Sequence, residues 1–154
     1  MTTILIAADD SEESVHAARI AHTLFGDDAE YLVIHVGITV TNDAMAWGYA
    51  YPVTMPMVSY PPPLPEPEVG EPTPVEQAEE RASAIANEAS IGDAEVVGDV
   101  GDPSEAILHA AHEQGADVIV VGSHERGWFS RLLSGSVSQD LVRRSDIPVL
   151  VVKQ

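Results

Sequence analysis

The stretch "DVIVVGSHERGWFSRLLSGSVSQDLVRRSDIPVLVVK", residues 117–153, holds an apolar run, a loop with glycines at Gly122 and Gly135, a segment with helical spacing, and a second apolar run. Both runs are apolar at consecutive positions instead of alternating, which is how strands buried on both faces read. The runs "TILIAA", "YLVIHV" and "AEVVGDV" read the same way. Between them lie segments of helical spacing at residues 11–24, about 75–89, 103–114 and about 129–144. The order is βαβαβαβαβ. It predicts an α/β fold: an open five-stranded parallel sheet with helices on both faces, right-handed crossovers, and ligands bound beyond the carboxyl ends of the strands.

The third helix has the clearest boundaries. "GDPSE" offers Asp102 as N-cap, Pro103 at the first helical position and Glu105 three residues after the cap, and Gly115 supplies the stop. The 154 residues fit a single domain, 1–154, with no internal repeat. A Pro-rich insertion at about 38–74 interrupts the regular spacing. It carries nine of the eleven prolines, including "YPPPLPEPEVGEPTP", preceded by the aromatic "MAWGYAY". Missing backbone donors oppose ordinary helix or sheet there, and a connection of that length suits a lid, a contact arm or a mobile loop.

Composition removes several classes of function. Twenty-five acidic residues against seven basic ones give a net charge of -18, which opposes long-range attraction to nucleic acid or to an anionic membrane. The absence of cysteine excludes disulfides, thiolate zinc sites and cysteine nucleophiles. No apolar run approaches the roughly 20 residues of a membrane helix, and the start lacks a basic region followed by a long apolar stretch. The expectation is a cytoplasmic protein with no membrane insertion.

Two places remain for chemistry. Between Gly122 and Arg144, four arginines face only Glu125 and Asp140, a local net of +2 that leaves -20 for the remainder of the chain. Glycines there let backbone amides approach a phosphate, and the start of the following helix adds partial positive charge. The same residues also read structurally, with Gly122 ending a strand, Gly135 allowing close packing and the arginines pairing with surface carboxylates. At the other place, "ILIAADDSEES", Asp9 ends the first strand, and Asp10 or Ser11 can cap the next helix. Asp9 is the better ligand candidate, because a strand-end carboxylate accepts hydrogen bonds from a base amine or ribose hydroxyls. His109 and His112, three apart on one helix, read as a surface pair, and His35 as a core histidine. No G-x-S-x-G elbow supports covalent catalysis.

Gly122, Ser123, His124 and Glu125, then nine residues, then Gly135, Ser136, Val137 and Ser138 resemble the G-x2-G-x9-G-[ST] pattern of the universal stress protein family. "ILIAADDSEES", "VIHV", "VGDPSEAILHAA" and "PVLVVK" resemble its other segments, so the likeness covers the chain outside the insertion. The resemblance implies a Rossmann-like, adenine nucleotide alpha-hydrolase-like sheet of order 3-2-1-4-5, with a nucleotide at the switch between the first and fourth strands. It implies that Ala8 and Asp9 line adenine and ribose, and that Val36 meets the base. Gly122, Ser123, His124 and Arg126 would pass under the phosphates, and Gly135, Ser136 and Val137 would close over them. It also implies a homodimer through the C-terminal strand, whose open edge needs a partner.

Glu125 stands where that pattern has its second glycine. Two unit charges about 4 Å apart repel by roughly 4 kcal/mol at an effective dielectric near 20, whereas magnesium bridging Glu125 to a phosphate reverses the sign, and an outward Glu125 paired with Arg126 or Arg131 leaves the amides free. Three functions follow. The first is a stress-response regulator that binds ATP or a related adenine nucleotide and is no enzyme. The second is a dimeric scaffold without nucleotide, whose Pro-rich arm contacts an unknown protein partner. The third is a slow Mg-dependent ATPase.

Overall fold

The computed structural model describes residues 1–37, 70–123 and 137–153. Within them run β1 (Thr3–Ala8), α1 (Glu12–Phe25), β2 (Glu30–Gly37), α2 (Pro74–Glu88), β3 (Glu95–Val100), α3 (Pro103–Glu113), β4 (Val118–Ser123), α4 (Val137–Arg144) and β5 (Val149–Lys153). All strand pairs are parallel, and the order is β3-β2-β1-β4-β5. This is the expected 3-2-1-4-5 sheet.

The strands alternate between two cores. Ile4, Ile6, Ala8, Tyr31, Val33 and Val120 face one side and pack on apolar residues of α1 and α2. Leu5, Ala7, Leu32, Ile34, Val36, Ile119 and Val121 face the other, against α3 and α4. Both faces of β1 are therefore covered, which explains why it is apolar at every position from Ile4 to Ala8. Each fully buried Ile or Val contributes about 1.5–3 kcal/mol relative to exposure.

Local chemistry sets the helix ends. Ser11 is the N-cap of α1 and accepts from Ser14 N, while Gly26 closes that helix at φ +72°, a conformation that favours glycine. Asp102 caps α3 by accepting from Glu105 N at 3.0 Å, with Pro103 in the first turn. Helix α2 starts at Pro74, inside what the sequence reading assigns to the insertion. Thr73 and Glu76 form a reciprocal capping box around that start. The rest of the insertion, from residue 38 to 69, lies outside the described residues, as does the segment 129–136 assigned to the fourth helix.

Helix α2 lies directly on β3. A methyl group at Gly98 would meet Val75 O at 2.5 Å and Glu79 N at 2.7 Å, so this strand glycine is a packing requirement. Among the described residues no helix is long and apolar enough to cross a membrane.

Candidate functional site at the switch between the first and fourth strands

Helices α1 and α2 cover one face and α3 and α4 the other, so the chain reverses its winding between β1 and β4. Ala7 is level with Val121 in the β1–β4 ladder, which puts Ala8–Asp9 and Gly122–Ser123 at adjoining strand ends. That crevice is where an open α/β sheet takes ligands.

Asp9 follows β1 directly. It is 1% exposed. Its Oδ1 accepts from Ser11 N at 3.1 Å, from Ser14 Oγ at 2.5 Å and from Ser11 Oγ. Its own amide donates to Ser14 Oγ at 2.9 Å. Its Oδ2 is equally buried and has no hydrogen-bond partner among the described residues. One carboxylate oxygen is thus saturated and the other has none, an arrangement that costs on the order of 1–3 kcal/mol unless a donor arrives.

The other expected residues divide by face. Val36 of β2 and Val137 at the start of α4 are both buried in the core on the α3–α4 side, together with Ala7 of β1 and Val121 of β4. Ala8 lies in the opposite core, beneath α1. Gly122 also faces α1, where an added methyl would sit 3.1 Å from Glu13 O. Close approach of the first turn of α1 therefore accounts for this glycine without a ligand. Gly122→Ala is expected to lower stability by about 1 kcal/mol in nucleotide-free protein, because the helix must shift a few tenths of an ångström. Urea denaturation without added ligand measures it. Ser123 ends β4 and is half-buried. His124, Arg126, Gly135 and Ser136 lie outside the described residues, as does Glu125.

A polar cluster that sequence reading did not single out borders Asp9. Asp10 bridges Arg81 of α2 and the buried His35 of β2, with His35 Nε2 3.6 Å from Asp10 Oδ1. Only the fold joins Asp10 to Arg81, which is 71 residues away. Burial pushes the His35 imidazole below its ordinary 6.5, Asp10 opposing the shift and Arg81 adding to it. The neutral ring is therefore favoured in the native state. Its contribution to stability is complete above the unfolded value of 6.5 and is lost as pH falls from there through the lower native value. His35→Phe is expected to flatten this loss between pH 7.5 and about pH 5, measured as urea midpoints.

His109 and His112 do not converge. His109 Nδ1 lies 3.5 Å from Glu113, and His112 Nε2 lies 3.2 Å from Asp146. Among the described residues no three His, Asp or Glu side chains gather as a metal set would.

The family model described as "Universal stress protein family" matches residues 49–153. The stress response protein NhaX of Bacillus subtilis (strain 168) is 33% identical over 97% of this chain and 88% of its own length. Two solved structures share the fold. The crystal structure of a universal stress protein in complex with cAMP has a TM-score of 0.59 at 24% identity, covering 99% of this chain and 96% of its own. A family protein from Arabidopsis thaliana with AMP bound has a TM-score of 0.57 at 19% identity, covering 100% of this chain and 92% of its own.

Proposed function

This chain belongs to the universal stress protein family, and from that premise we propose that it is a regulatory module of the stress response that binds ATP or a related adenine nucleotide. The observation that carries this reading is the Asp9 carboxylate, held by one oxygen and buried without a partner on the other, at the switch point of the sheet. An adenine nucleotide offers N–H and O–H donors of the kind such an acceptor needs. The cAMP and AMP carried by the two solved relatives belong to that ligand class.

In this reading Ala8 and Asp9 line the base and ribose, and Val36 packs near the base. Gly122 and Ser123 lead the chain into the segment holding His124, Arg126, Gly135 and Ser136, which takes the phosphates together with Val137. The net +2 of residues 122–144 on a chain of -18 favours an anion there. A bound magnesium ion would neutralise phosphate charge beside Glu125. The protein acts by binding and not by turnover, as a cytoplasmic homodimer. Strand β5, at the end of the sheet order with Val149, Leu150 and Val151 half-buried, supplies the pairing edge. Sedimentation equilibrium tests the dimer.

Mass spectrometry of small molecules released from the purified, heat-denatured protein tests the ligand class. The expected result is an adenine nucleotide at a substantial fraction of one per chain. If none is released, and millimolar ATP with magnesium leaves the melting temperature unchanged, the nucleotide reading fails and the dimeric scaffold takes its place.

A further inference from the structure

Ser14 lies on the first turn of α1 and is 2% exposed. Its hydroxyl bonds Asp9 twice, accepting from the Asp9 amide at 2.9 Å and donating to Asp9 Oδ1 at 2.5 Å. Ser11 adds its amide at 3.1 Å and its hydroxyl to the same oxygen. All donors from α1 thus fall on Oδ1, and none on Oδ2. An ordinary helix cap needs one side-chain acceptor for one backbone N–H, and Ser11 already fills that role for α1. The Asp9–Ser14 pair is surplus to capping. Its effect is to fix the rotation of a buried carboxylate.

The geometry points to Ser14 as a positioning residue that sets ligand specificity: by clamping Oδ1 it aims Oδ2 at one hydrogen-bond donor of the bound nucleotide. This rests on the nucleotide reading above and adds to it the residue that makes Asp9 selective. A fixed acceptor rejects an analogue lacking the matching donor, because the charged oxygen then stays buried and unpaired. A carboxylate free to rotate can turn away and loses that discrimination. The donor is either the exocyclic amine of the base or a ribose hydroxyl, two groups of the same hydrogen-bonding chemistry.

The test is calorimetric titration of wild type, Ser14→Ala and Ser14→Thr with ATP, inosine triphosphate, 2′-deoxy-ATP and 3′-deoxy-ATP in magnesium buffer, with a thermal melt of each variant. Wild type is expected to bind ATP roughly tenfold or more tightly than one of the three analogues, and the analogue affected identifies the donor. In Ser14→Ala that ratio falls towards one, and Ser14→Thr, which keeps the hydroxyl, restores it. A purely structural Ser14 would weaken all four ligands alike and leave the ratio intact, which overturns the inference while the nucleotide reading stands. Wild type binding all four equally also overturns the inference alone. Wild type binding none removes both. If Ser14→Ala does not fold, Ser11→Ala, at a half-buried position, must lower the same ratio, and an unchanged ratio there overturns the inference.

Discussion

Gly98→Ala is expected to cost about 3 kcal/mol of folding stability, seen as a lower urea midpoint at unchanged slope. The new Cβ would lie 2.5 Å from Val75 O and 2.7 Å from Glu79 N, both backbone atoms of α2, and 2.7 Å from Glu79 Cγ. The Glu79 side chain can rotate away. The helix backbone cannot, so α2 must move off β3 and carry Ala78, Ala82 and Ile85 out of their buried positions. Gly92→Ala is the control. Its nearest neighbour would be Asn87 Oδ1 at 3.6 Å, an ordinary contact, and its effect should stay within about 0.5 kcal/mol. Equal effects at the two glycines would contradict the packing described for α2.

The second large effect is expected at Asp9, where stability and ligand binding should separate. Asp9→Ala removes the acceptor for Ser11 N and both serine hydroxyls and is expected to destabilise by about 2 kcal/mol. Asp9→Asn keeps a carbonyl oxygen for those donors and replaces the unpartnered Oδ2 with an uncharged amide. Without ligand it should change stability by less than about 1 kcal/mol, because burying a neutral group costs less than burying a charge. Its affinity for the adenine nucleotide should nevertheless fall roughly tenfold or more, since an amide donates where an acceptor is needed. Urea denaturation and titration of the same samples give both numbers. A variant that loses stability and affinity together would make Asp9 a structural residue only.

These two residues show how far the sequence could be read. The apolar runs were legible because parallel strands covered on both faces have no polar positions to disguise them, and β1 is buried from Ile4 through Ala8. Asp102 and Pro103 were legible because capping is local. The start of α2 falls within one residue of the expected 75, at Pro74, but its capping box went unread even though that signal is local too. Thr73, Pro74 and Glu76 form a capping box with proline at the first position, but they sit at the end of a Pro-rich run that reads as irregular. In the site, the closeness of Asp9 and Gly122 followed from the strand order that the family resemblance implies. The division of the Asp9 oxygens did not. It depends on the turn that brings Ser11 and Ser14 back over the strand end, and only the repeat of serine three residues apart hints at it. Gly98 carries no local signal of its role, since what it touches lies on α2, some twenty residues away. Gly122 stood out as a phosphate-loop glycine, and the fold adds a second reason for it in the contact with Glu13.

In the proposed function the buried acceptor at the end of β1 belongs to an adenine-nucleotide site. Calorimetric titration of the purified protein, stripped of any retained ligand, with ATP and magnesium tests it most directly. One saturable site per chain, with AMP competing for it and Asp9→Asn weakening it, is the predicted result. Heat of dilution alone up to millimolar ATP would contradict it.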